Sequence, residues 1–104
     1  MNDAGHPQAL ELVRTALEEF LRDTARSLPA DGVTAQTIVF GAGGVLDSLG
    51  LVGFVADVET RVAEKSGVEI VLADERAMSR SCSPFRTVAS LAELVAERIA
   101  EGGI

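Results

Sequence analysis

A chain of 104 residues supplies one domain with a single modest core. Hydrophobic residues make up 47% and charged residues 24%, a globular rather than disordered composition, and the four phenylalanines are a poor supply for base stacking or an aromatic-lined pocket. The formal net charge of −7 opposes binding to a nucleic-acid backbone or an anionic membrane and favours basic partners.

From Pro7 to Leu28, Leu10, Val13, Leu17, Phe20 and Leu21 recur at three- and four-residue spacing, with Glu11, Arg14, Glu18, Glu19, Arg22 and Asp23 opposite them. The pattern predicts an amphipathic helix that begins near Pro7 and is stopped by Pro29 and Asp31-Gly32, with Glu18 and Arg22 as a supporting pair four residues apart. Residues 29–47 form a long connection. Within it Thr37-Ile38-Val39-Phe40 reads either as a short strand or as a loop segment pinned into the core by Ile38 and Phe40. Gly41, Gly43 and Gly44 then suit a chain turning sharply into a helix.

That second helix is predicted from about Ser48 to Lys65. On a helical wheel Leu51, Phe54, Val55, Val58 and Val62 make a core stripe, while Gly50, Gly53, Asp57, Thr60 and Glu64 gather opposite. Leu49, Val52 and Ala56 lie on a flank that the core stripe does not need, a candidate contact surface beside the ordinary alternative of scattered exposed apolar residues. Val68 to Leu72 reads as a strand or an anchored loop, Asp74 to Met78 as a short helical turn, and Ser79 to Arg86 as a loop with Phe85 buried. Thr87 is the expected N-cap of a last helix carrying Val88, Leu91, Val95 and Ile99 and ending at Gly102-Gly103. Three clear helices and one short one emerge, in a single domain over residues 1–104 with a core of about 7–101.

The stretch Gly44-Val45-Leu46-Asp47-Ser48-Leu49 places Ser48 where a glycine-rich loop gives way to a helix. Unpaired N–H groups and the macrodipole favour an anionic group there, whereas the plainer reading makes Asp47 or Ser48 only a cap. A dinucleotide site fits poorly: the sixth position of a fingerprint counted from Gly41 is Leu46, and Asp74 lies too far on to hold a ribose. A nucleotide-hydrolase phosphate loop is excluded because no lysine precedes Lys65. Ser48 lacks a base for nucleophilic catalysis, since His6 is the only histidine and sits near the start of the sequence. Cys82, between Arg80 and Arg86, has no placed base, cannot form an internal disulfide, and with His6 makes no zinc set. The first thirty residues lack a signal-peptide layout and no apolar run reaches membrane-spanning length, so the expected location is the reducing cytoplasm.

Asp47-Ser48-Leu49 after a glycine-rich loop, between an N-terminal amphipathic helix and the later Phe85-Arg86-Thr87-Val88 helix start, resembles the acyl carrier proteins over about Leu10 to Ile99. The resemblance implies an all-α fold, a small acyl-carrier-like bundle of three main helices plus one short helix, and a non-enzymatic, monomeric carrier. Ser48 would hold phosphopantetheine as a phosphodiester, added from coenzyme A by a separate phosphopantetheinyl transferase, and the arm's thiol would carry an acyl or aminoacyl thioester. Asp47 would then serve as the flanking cap. An acyl- or aminoacyl-loading ligase and downstream transferase or synthase enzymes are the implied partners. Leu49, Val52 and Ala56 would touch them, and Asp57, Glu59 and Glu64 would meet their basic patches.

Two positions commonly acidic in fatty-acid carriers hold Gly53 and Thr60 here, and Ala56 stands where a larger apolar residue is common. These departures point to a freestanding carrier of a specialised pathway, polyketide, fatty-acid-like or amino-acyl. Asp47 ranks a peptidyl carrier lower. The alternatives are a small nucleotide-binding module and a protein-docking module without a covalent arm.

Overall fold

The apolar face of the first amphipathic segment decides the architecture, because it is wide enough to serve two partners. The computed structural model describes residues 6–72 and 84–102. Helix α1 spans His6–Asp23, α2 spans Ser48–Ser66 and α3 spans Val88–Gly102. Ala9, Val13, Ala16, Leu17 and Leu21 of α1 are buried, and α1 packs against both α2 and α3. The chain is all-helical among the described residues, with no β-strand and only an isolated bridge between Ile38 and Thr87. No described helix is long and apolar enough to cross a membrane.

Helix α1 ends five residues before the predicted Leu28, and Pro29 is not what stops it. The Thr24 hydroxyl donates to the Phe20 carbonyl, Ala25 takes a left-handed φ of 59°, and the N–H groups of Ala25 and Arg26 donate back to Arg22 and Leu21. This is a Schellman closure, with alanine at the position that usually holds glycine. Glu18 also differs from expectation: it approaches Arg14 at 3.9 Å, and Arg14 is shared with Glu11, whose carboxyl it holds below the ordinary range.

In α2, Phe54, Val55, Val58 and Val62 are buried as predicted, and Leu51 is half-buried against the same core. Gly50 corrects the wheel, since it is buried beneath Arg26 and Leu46 rather than facing solvent. The helix closes at Gly67, whose N–H donates to Ala63. Residues 68–72 are an anchored loop: Ile70 and Leu72 are buried, and the Leu72 N–H donates to the Glu59 carboxylate at 2.8 Å. The expected helical turn Asp74–Met78 and Cys82 lie outside the described residues.

The connection before α2 is a loop, and Val39, fully buried, is its main anchor, with Ile38 and Phe40 only half-buried. The reason is backbone pairing. Val39 N–H donates to Arg86 at 2.6 Å, while Val88 and Ala89, in the first turn of α3, donate to the carbonyls of Thr37 and Ala35 at 3.1 and 2.9 Å. Val45 and Leu46 return to Ile38 and Val39, both at 3.0 Å. One loop therefore ties the start of α2 to the start of α3.

Because Ala25 pays the left-handed steric penalty, Ala25→Gly is expected to stabilise the fold by about 1 kcal/mol, read as a higher urea midpoint at unchanged slope.

Candidate functional site

The approach to Ser48 is built by close backbone packing. Gly41 and Gly43 have φ of 108° and 78°, and Gly44 N–H donates to Gly41 at 2.9 Å. Gly44 has an ordinary φ but no room: a Cβ on it would lie 2.8 Å from Phe40 Cα and 2.9 Å from the Val39 carbonyl oxygen. Leu46 is buried and pins the end of this turn, so that the next residue faces out as the cap.

Asp47 has extended backbone, with φ −86° and ψ −176°, and its Oδ1 accepts the Gly50 N–H at 2.7 Å. Its carbonyl accepts the Leu51 N–H at 2.8 Å. Asp47 is thus the N-cap of α2, and Ser48, at the first helical position, is exposed with its hydroxyl uninvolved in capping. No protein acceptor takes the Ser48 and Leu49 N–H groups among the described residues.

Helix α3 begins differently. Its Thr87 hydroxyl caps Ser90 N–H at 3.1 Å, Ser90 Oγ accepts the Thr87 N–H at 3.0 Å, and the loop carbonyls of Thr37 and Ala35 satisfy the next two donors. The first-turn donors of α3 are consumed internally, whereas α2 presents two beside an exposed serine hydroxyl.

Arg26 also reaches α2. Its Nη2 lies 3.6 Å from Asp47 Oδ1, and its guanidinium carbon sits 5.8 Å from the centroid of the Phe20 ring, which in turn lies 5.7 Å from Phe54. A Cβ on Gly50 would come within 3.1 Å of both Arg26 Nη2 and Asp47 Oδ1, so the missing side chain makes room for this ion pair. Arg26 carries no sequence signal, because its only local relation is a like-charge spacing from Arg22.

Of the other predicted residues, Leu49 and Val52 are 80% and 68% exposed, and Ala56, Gly53 and Glu64 are exposed as well. The remaining two acidic candidates already have partners. Asp57 accepts from Arg61 Nε at 2.8 Å, and Arg61 also reaches Glu19 on α1 at 2.7 Å. The Glu19 hydrogen bond, aided by Asp57 and opposed by burial, raises the Arg61 pKa above its ordinary value. Glu59 holds the Leu72 N–H. The surface that follows Ser48 along α2 is therefore apolar as far as Ala56, and the next two carboxylates, Asp57 and Glu59, are committed. The strand that a dinucleotide site needs ahead of its glycine turn is absent from 37–40.

Asp47→Ala is expected to cost about 1 kcal/mol of unfolding free energy while Asp47→Asn, which keeps a capping oxygen, costs much less. Gly44→Ala, which forces backbone apart, is expected to cost about 2 kcal/mol in the same denaturation assay. No family model, curated protein or solved structure matches the chain significantly.

Proposed function

We propose that this protein is a carrier of the acyl-carrier-like kind, in which Ser48 bears a phosphopantetheine arm and the carrier domain itself performs no catalysis. The observation that carries this reading is the division of labour at the start of α2. Asp47 caps the helix, so the Ser48 hydroxyl stays exposed and free to be esterified beside two unsatisfied N–H groups. A phosphodiester fits such a place because its negative charge meets oriented donors and the positive end of the helix.

In the active site of a separate transferase the Ser48 hydroxyl gives its proton to a base of that enzyme, its oxygen forms the new bond to phosphorus, the pyrophosphate bond of coenzyme A breaks, and the nucleotide leaves with the outgoing phosphate. The arm's thiol supplies the thioester chemistry when bound. The protein then contributes tethering, which raises the cargo's effective concentration at each partner enzyme. The bundle would be completed by the short helix expected at Asp74–Met78. Leu49, Val52 and Ala56 would meet the loading ligase and the downstream transferase or synthase, and the uncharged positions Gly53 and Thr60 favour a specialised polyketide, fatty-acid-like or amino-acyl pathway over a housekeeping one.

The exposure of Leu49 and Val52 also supports a second reading, a docking module without an arm. The two separate in one experiment. Incubation with coenzyme A and a promiscuous phosphopantetheinyl transferase is expected to add one arm's mass to the wild type and nothing to Ser48→Ala. No gain, or a gain retained in Ser48→Ala, removes the carrier reading, and a partner complex that survives Ser48→Ala without any arm favours the docking module.

A further inference from the structure

We propose that Arg26 is a positioning residue of the Ser48 site: its guanidinium neutralises the Asp47 carboxylate in the unmodified protein and holds the phosphate oxygens of an ester on Ser48. The inference rests on the carrier reading, and it concerns a side chain which that reading does not require.

The backbone of Arg26 is anchored, because its N–H closes the end of α1 on the Leu21 carbonyl at 2.7 Å. From there the side chain runs past the Phe20 ring, an attractive cation–aromatic contact, to the first turn of α2. Its head group stops 3.6 Å from Asp47 Oδ1, and that oxygen already accepts the Gly50 N–H at 2.7 Å. The contact is an ion pair without a hydrogen bond, and no protein acceptor uses the guanidinium donors among the described residues. The Arg26 side chain is 31% exposed, and it lines an open surface groove together with Ser27, Leu28, Gly44, Val45 and Asp47. Gly50 is what lets the head group come this close.

An anionic ester on Ser48 sets a second negative charge on the residue next to Asp47, in a chain already at −7. Like charges on adjacent residues repel, and a cation placed against one of them offsets that repulsion. A guanidinium suits the task because its planar fork meets two oxygens of a phosphate at once, which a lysine ammonium meets only as a point charge.

The test compares melting temperatures of the unloaded and fully loaded forms, with loading followed by intact mass, in wild type, Arg26→Gln and Arg26→Lys. Removing the guanidinium is expected to lower the loaded form relative to its own unloaded form by about 4 °C more than in wild type, with partial recovery in Arg26→Lys and a smaller difference in 1 M salt. A purely structural role would lower both forms equally. An arm that shifts the melting of wild type and Arg26→Gln by the same amount overturns the Arg26 assignment and leaves the carrier reading standing. A wild type that takes no arm overturns the carrier reading, and the ester assigned to Arg26 with it.

Discussion

Backbone hydrogen bonds between residues 35–39 and the start of α3 hold this structure in register. Val39 donates to Arg86, and Thr37 and Ala35 accept from Val88 and Ala89, so the donors that a helix N-terminus leaves unpaired become the attachment points of a loop. The same loop folds back through Val45 and Leu46 onto Ile38 and Val39 before it enters α2. Val39 and Leu46 drop into the core on either side of the glycine turn and hold it by burial as well. A connection that would otherwise be the loosest part of a small domain becomes the jig that sets where α2 begins, and hence where Ser48 stands.

Helix α1 gives that jig something to press against. Its buried stripe faces both other helices, and Leu17, Leu21, Phe54, Leu91 and Leu94 fill the space between them. On the solvent side Arg61 joins Asp57 in its own helix to Glu19 on α1, and this partly exposed three-charge cluster aligns the two helices more than it stabilises them. One residue further along α1, Phe20 packs on Phe54 and carries Arg26 above it, so the packing of α1 is felt at the first turn of α2.

The distribution of charge around the serine bears on recognition. The chain is acidic as a whole, yet the first four exposed positions that follow Ser48 on α2 are Leu49, Val52, Gly53 and Ala56. Asp57 and Glu59 come next, and each already holds a partner within the fold. A protein approaching Ser48 along this helix meets apolar side chains first, with the exposed Glu64 two turns beyond Asp57. Long-range attraction to a basic partner comes from the net charge, while the contact beside the serine is short-range and apolar.

Features that act within a turn or two of the chain were legible in the residues themselves. The apolar spacing of Val13, Leu17 and Leu21, of Phe54, Val58 and Val62, and of Val88, Leu91 and Val95 announces three helices, and Asp47 and Thr87 announce where two of them start. Such signals are read by the same local hydrogen bonds and side-chain faces that make a helix. The end of α1 was not legible, because alanine at 25 adopts a conformation its own preference resists, and only the surrounding closure holds it there. Gly50 is buried, Glu59 holds the Leu72 N–H, and Arg26 stands against Asp47. Each of these joins residues that periodicity cannot relate, the first and third through the closing of α1, the long connection and α2, the second through the loop that follows α2. The residues alone place a serine at the start of a helix in an acidic domain with three main helical segments. That an arginine from the end of another helix stands beside its cap follows from tertiary contacts instead, because Arg26 and Asp47 meet only when the end of α1 packs against the start of α2.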